Sequence, residues 1–323
     1  MPESVKLIIP TDAPSDRADK VLAVCLKGTH SRSALAKLIR LGLVRVHGTA
    51  VKPSTVLNPG DCVELLAEEI SPSPAISGIP DFSILFEDSH IIVVNKPPGL
   101  VVHPGAGRPG NTLMDALVAD RPQMLQVGEE GRWGVVHRLD RDTSGVMVLA
   151  KTSLAHESLS AQFRAHSVHR IYLALVRGNP GQDSGRIEVA IGRHPKDRKR
   201  ISTVTTKARH AATKWRVLTR LGPLTLLEVM PETGRTHQIR VHLASIGLPV
   251  AGDPVYGKIR KKGGIDDPKL KAALRTLHRQ ALHAAVLGLK HPEDKQYVEF
   301  SSPLPDDIQA ILDLQFSHEE CPG

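Results

Sequence analysis

The chain has 323 residues, 42 Lys and Arg against 34 Asp and Glu, a formal charge of +8, and 41% hydrophobic residues. That balance excludes a disordered chain, and no apolar run reaches the ~20 residues a membrane-spanning helix needs. Three scattered cysteines (Cys25, Cys62 and Cys321) offer neither a disulfide framework nor a CxxC zinc site, and the first ten residues do not read as a signal peptide. A cytoplasmic protein with an aliphatic core is therefore expected, since only 3% of residues are aromatic.

In chain order, a tail over 1–14 precedes a small domain over 15–70. There, residues 19–26 and 31–43 read as helices, the second from Leu35, Leu38, Ile39 and Leu43 at helical spacing, with Ser31 or Ser33 as its cap. Residues 44–46 and 62–66 alternate as short strands around an Asn58-Pro-Gly60-Asp61 turn. A Pro/Ser-rich linker over 71–80 leads into a larger domain over 81–312, and 313–323 form a tail. Strands are predicted over 90–95, 146–151, 170–177, 186–191, 213–219, 224–230 and 281–289. Helices are predicted over 112–119, where Thr112 and Asp115 fit a capping box, and over 153–166 and 236–246. Strands often follow one another without an intervening helix, which predicts an α+β fold with a mixed, antiparallel-rich sheet.

The charge is segregated. Segments 15–52, 193–216 and 258–279 carry +6, +8 and +6, so the remainder carries −12. Three basic runs on an acidic background point to a polyanion partner.

Gly105-Ala-Gly107-Arg-Pro-Gly110 matches a dinucleotide fingerprint, but Lys96 to Pro104 separates it from the preceding apolar strand, so the tight strand-to-glycine turn is lost. It reads as a loop. His237/His242 and His278/His283 are spaced i, i+5, about 140° apart on a helix, which does not suit a metal pair. Ser144 lacks the context of a nucleophilic serine. In Gly134-Val-Val-His137-Arg138-Leu139-Asp140-Arg141-Asp142-Thr143-Ser144-Gly145, Asp140 stands between two arginines, which should keep it ionised. The residues alone leave three readings: a salt-bridged structural loop, a nucleophilic carboxylate, or a glycosidase-like pair of Asp140 with Asp142 or Glu232.

The run His137-Arg-Leu-Asp140-Arg-Asp-Thr-Ser-Gly-Val-Met-Val-Leu-Ala-Lys151 resembles the catalytic motif of the RluA-type pseudouridine synthases, with Arg141 where Lys is common. Asn95-Lys-Pro-Pro-Gly-Leu-Val-Val-His103-Pro-Gly resembles the opening motif of that family. Arg170-Ile-Tyr172-Leu-Ala-Leu-Val resembles its tyrosine segment. Glu232-Thr-Gly-Arg235-Thr-His-Gln-Ile-Arg240-Val-His242 and Gly252-Asp-Pro-Val-Tyr256-Gly257 resemble the motifs that follow, in the same order. The small domain resembles the S4 RNA-binding module, with His47 where Asn is common, and the whole pattern is most similar to the large-subunit rRNA (helix-69) branch.

The resemblance implies a catalytic domain that detaches uracil from its ribose and rejoins it through C5, with no cofactor and no metal. By position, Asp140 is the essential carboxylate, Tyr172 lies against the uracil, and Arg235 pairs with Asp140. His137, Arg138 and Leu139 contact the substrate, Arg138 filling the space of the flipped nucleotide. Arg17, Arg32, Lys37, Arg40, Arg198, Lys199 and Arg200 bind RNA. The implied partner is structured RNA, 23S rRNA or a precursor of the large ribosomal subunit, met by a monomer away from any membrane.

Overall fold

The computed structural model describes residues 4–26, 35–36, 38–39, 42–66, 81–103, 111–129, 131–197, 200–205, 207–257 and 267–316. The predicted linker 71–80, the glycine run 105–110 and the RNA-binding candidates Arg32, Lys37, Arg40, Arg198 and Lys199 lie outside the described residues. The chain separates into two compact units: Met1–Gly78 with His103–Gly134, and Ile79–Val102 with Val135–Gly323. Residues 103–134, read in the sequence as part of the larger domain, thus group with the first unit.

In the first unit the elements are β1 (Ser4–Ile8), β2 (Asp16–Arg17), α1 (Ala18–Cys25), β3 (Val44–Val46), β4 (Thr49–Ala50), β5 (Val56–Leu57) and β6 (Cys62–Leu66). The antiparallel order is β1-β6-β3-β4, with β2 and β5 as a separate pair. Leu22, Leu35, Ile39, Val44, Leu57 and Val63 form its core, so the helical spacing of Leu35 and Ile39 does mark an inward face. The β3–β4 hairpin turns through His47 and Gly48, both with positive φ, as a tight primed turn requires. His47 Nε2 lies 3.1 Å from Asp61, which also accepts from the Asn58 amide. These two bonds, the amide first, hold the Asp61 carboxyl below its ordinary value. Arg17 pairs with the buried Asp19 at 2.9 Å and keeps 46% of its side chain exposed. Helix α2 (Leu113–Asp120) opens on the Thr112/Asp115 capping box that the sequence predicts.

The second unit holds β7 (Ser83–Glu87), β8 (Ile91–Lys96), β9 (Ser144–Ala150), α3 (Ser153–Arg164), β10 (His169–Arg177) and β11 (Ser184–Glu188). It continues with β12 (Gly192–Arg193), β13 (Ile201–Ser202), β14 (Ala212–Leu221), β15 (Leu224–Pro231), α4 (Gln238–Ser245), α5 (Pro268–Thr276), β16 (Leu282–Lys290), β17 (Tyr297–Ser301) and α6 (Asp306–Phe316). One mixed sheet runs β11-β14-β15-β10-β16-β9-β8-β7, and β17 also pairs with β16. Every neighbour is antiparallel except β9 and β16, which run parallel over His283–Ser144 and Ala284–Gly145. The C-terminal half of β16 turns instead to β17.

Two local features of this sheet position the site. Every residue of β9 is buried, as its continuous apolar run leads one to expect of a central strand. At its start, Gly145 has φ +117°, and a Cβ there would stand 2.1 Å from the Ala284 carbonyl oxygen, so glycine is what lets β9 reach β16. The β10–β16 register shifts between Ile171 and Tyr172, an irregularity of the β-bulge kind directly at Tyr172. β7, β17, the short β12–β13 hairpin and helices α5 and α6 carry no prediction. In β7 every residue is exposed, so no alternation marks it.

Candidate active site

A cavity of about 530 Å³ opens in the second unit. His137, Arg138, Leu139, Asp140, Tyr172 and Arg235, singled out from sequence, all line it, and so do Phe163, Arg170, His237 and Arg240. Asp140 is the single carboxylate among its described lining residues. The two other carboxylates of the glycosidase-like reading lie elsewhere. Asp142 is bound by Arg141 at 2.9 Å. Glu232 is held by Arg186 and Lys214, which bring its carboxyl down to about 2. Hydrolysis by paired carboxylates therefore has no geometry in this cavity.

The loop bearing Asp140 is anchored from several sides. The Thr143 amide donates to the Asp140 carbonyl at 3.0 Å, closing a turn directly before β9. Lys96, fully buried, donates to the carbonyls of Pro97, Leu100 and Arg141 at 2.8 to 2.9 Å. Gln280 donates to Thr143 Oγ1, and Arg279, held bidentately by Asp307, donates to the Asp142 carbonyl. His283 Nδ1 bonds Ser144 Oγ at 3.0 Å and its Nε2 the Ser302 carbonyl, while His242 is bonded to Thr213 and the Val189 carbonyl. These histidines are built into the fold by their hydrogen bonds. Among the described residues no group of His, Cys, Asp or Glu is arranged to hold a metal ion.

The expected pair of Asp140 with Arg235 is corrected by the structure. Arg240 Nη1 donates to Asp140 Oδ2 at 2.9 Å, while its Nε and Nη2 hold Asp253 at 2.7 and 2.9 Å. Arg235 is exposed and its Nε reaches the His210 carbonyl at 3.4 Å. The reason is position: Arg235 lies in the polar turn Thr233-Gly-Arg-Thr236, whereas Arg240 lies within α4 between buried Ile239 and Val241. An arginine amid apolar helix residues is compatible with a buried ion pair, but the motif alone does not say which arginine meets Asp140. Burial works against the Arg240 charge, but the flanking Asp253 and Asp140 outweigh it and raise its pKa. Asp253, fully buried and also accepting from the Val255 and Tyr256 amides, is held low by Arg240 despite its burial. Asp140 Oδ2 is thus occupied, and Oδ1 has no hydrogen-bond partner among the described residues.

Around this carboxylate the walls carry aromatic and cationic side chains. Burial raises the Tyr172 phenol, opposed by Arg170 and aided by Asp140. Arg170 donates Nη2 to the Pro231 carbonyl at 2.9 Å, but its buried Nε has no hydrogen-bond partner. His137 stacks on Phe163 at 4.5 Å and accepts from the Val148 amide through Nε2. Burial, then Arg170, pushes it down to about 3, so it is a neutral wall of the cavity. Leu139 is buried, and Arg138 and Arg200 are exposed, Arg200 over the Tyr256 ring.

Residues 90–245 match the family model of RNA pseudouridylate synthase. An uncharacterised RNA pseudouridine synthase of Bacillus subtilis is 42% identical over 93% of this chain and 94% of its own. The ribosomal large subunit pseudouridine synthase D of Xanthomonas campestris is 42% identical over 94% and 90%, and that of Nitrosomonas europaea 43% over 96% and 87%. Human RNA pseudouridylate synthase domain containing 4 superposes with a TM-score of 0.56 at 28% identity, covering 71% of this chain and 91% of that one. A fold centred on this cavity, matched along nearly the whole chain by such relatives, makes this protein a member of the RNA pseudouridine synthase family, whose enzymes are isomerases.

Proposed function

We propose that this chain isomerises specific uridines of large-subunit (23S) rRNA to pseudouridine, with Asp140 as the essential carboxylate. The observation that carries the reading is the single carboxylate among the cavity's described lining residues, one oxygen tied to Arg240 and the other with no hydrogen-bond partner among the described residues. The reaction breaks the bond between uracil N1 and ribose C1′ and forms one from C5 to C1′. The C5 proton leaves and N1 gains a proton, so no redox partner or group donor is required. Attack at C1′, attack at C6 and the glycal route all need an oriented carboxylate, and Arg240 orients Asp140 by holding its Oδ2.

Tyr172 packs against the uracil and Leu139 and His137 bound it. Arg138 fills the gap left by the flipped nucleotide, whose extrusion costs a few kcal/mol, least in a loop. Arg235 at the cavity mouth, with Arg198, Lys199 and Arg200, meets phosphates of the stem. Residues 15–70 act as an S4-like RNA tether, with Arg17, Arg32, Lys37 and Arg40 as its contacts. The enzyme works as a cytoplasmic monomer, on 23S rRNA or a precursor of the large subunit.

The test is tritium release from C5-labelled uridine in 23S rRNA fragments, by the wild type and by Asp140→Asn. Release by the wild type and none by Asp140→Asn, with RNA affinity retained, is the expected outcome. Turnover by Asp140→Asn at the wild-type rate refutes the assignment.

A further inference from the structure

His237 sits in an unusual state that the chemistry above does not use. It is the residue immediately before α4, with φ 54° and ψ 17°, and its side chain makes no capping bond to the helix. The left-handed conformation costs an L-residue roughly 1–2 kcal/mol, though His and Asn tolerate it better than most. Strain of this kind persists where the surroundings hold a side chain to a task. Here the imidazole is bonded at Nδ1 and faces a carboxylate at Nε2. Nδ1 lies 2.9 Å from the Tyr256 hydroxyl, and Nε2 lies 3.9 Å from Asp140 Oδ2.

The proton positions follow from the partners. The buried Tyr256 hydroxyl accepts from the Ile201 amide at 2.9 Å, and its own proton has His237 Nδ1 as its one described acceptor. Nδ1 is therefore the unprotonated nitrogen, and Nε2 carries a hydrogen facing the carboxylate. We infer that His237 is a positioning residue for Asp140: its Nε2–H, oriented by Tyr256, closes on Oδ2 when substrate fills the cavity. Oδ2 is then clamped between Arg240 and His237, and Oδ1 is the oxygen presented to the uridine. The 3.9 Å gap of the empty site is the kind that tightens in a substrate complex. Burial lowers the His237 pKa against the pull of Asp140, in keeping with a neutral donor.

This inference rests on the proposed role of Asp140, and the experiment separates the two. His237→Gln keeps a donor near the Nε2 position, while His237→Asn keeps an acceptor for Tyr256, tolerates the left-handed backbone and loses the reach to Asp140. Single-turnover pseudouridine formation is measured beside RNA affinity and melting temperature. The expected result is His237→Gln within about 5-fold of wild type and His237→Asn slower by about 10- to 100-fold, with RNA Kd within about 2-fold. A merely structural role predicts the reverse order, since Asn suits the backbone and Tyr256 better. Asn equal to or faster than Gln, or both equally slow, overturns the inference. Nitrogen-15 spectra of the histidine-labelled wild type, assigned with His237→Gln, must also show Nε2 protonated and Nδ1 not; the opposite tautomer overturns it without any variant having to fold. Failure of the wild type to form pseudouridine, with Asp140→Asn no different from it, overturns the reading of Asp140 and this inference together.

Discussion

Replacing Arg240 by Gln removes the cation that lies between Asp253 and Asp140. In the wild type it makes three charged hydrogen bonds, of 2.7 and 2.9 Å to Asp253 and 2.9 Å to Asp140, with only 5% of its side chain exposed. Without it Asp253, whose side chain is 0% exposed, keeps among the described residues the Val255 and Tyr256 amides as donors. Breaking one side of such a buried pair costs about 3–5 kcal/mol. At roughly 2–4 °C per kcal/mol for a unit of this size, the melting temperature should fall by on the order of 10 °C. The effect depends on pH in a definite direction. Arg240 holds the Asp253 pKa down in the folded wild type, so the stabilisation is present above the ordinary Asp value and lost as pH falls through the depressed one. In Arg240→Gln the carboxyl has only burial to oppose its two amides, so acid protonates it more readily, and the deficit relative to wild type shrinks between pH 7 and 4. Arg240→Lys keeps the charge but cannot span both carboxylates, so turnover should drop by about 100-fold with a smaller loss of stability. Thermal melts across pH and single-turnover tritium release provide the assay. A melting temperature for Arg240→Gln within about 2 °C of wild type at pH 7, or full activity in Arg240→Lys, refutes the reasoning.

Gly145→Ala forces a Cβ against the Ala284 carbonyl at 2.1 Å, and is expected to cost more than about 3 kcal/mol and to displace the Asp140 loop. Gly60→Ala, at φ +87° with open space around it, should cost only about 1 kcal/mol, and chemical denaturation of both variants checks the contrast. Half-buried His137 and buried His242 and His283 all have pKa values lowered by desolvation, His137 to about 3. Below pH ~6.5 the unfolded chain therefore binds more protons than the folded one, and stability should fall with acid by up to about 1.4 kcal/mol per pH unit for each group. Denaturant midpoints at pH 7.5, 6.0 and 5.0 would test this, and a flat profile would contradict it.

Much of the arrangement was legible before any coordinates. The continuous apolar run of β9, the helical spacing of Leu35 and Ile39 and the Thr112/Asp115 box are local patterns, read from neighbours a few residues apart. For β9 and the helix after Thr112 they predict elements to within a few residues of those observed, and Leu35 and Ile39 stand in the core of the first unit. The motif around Asp140 and Tyr172 likewise names residues that the cavity brings together. β7 escaped because an exposed edge strand has no buried face to set an alternation. Which arginine pairs with Asp140 depends on the hundred-residue separation between Asp140 and Arg240 being closed by the sheet and by α4. Arg235 and Arg240 stand in one motif and differ mainly in burial, which is a property of packing. The tautomer of His237 is likewise set by Tyr256 and Ile201, brought to it from distant parts of the chain. Sequence by itself determined the family and the central strands of the sheet and singled out Asp140 as a candidate; the tertiary structure decided which groups surround that carboxylate, because charge pairing and hydrogen-bond partners arise only where long-range packing brings them together.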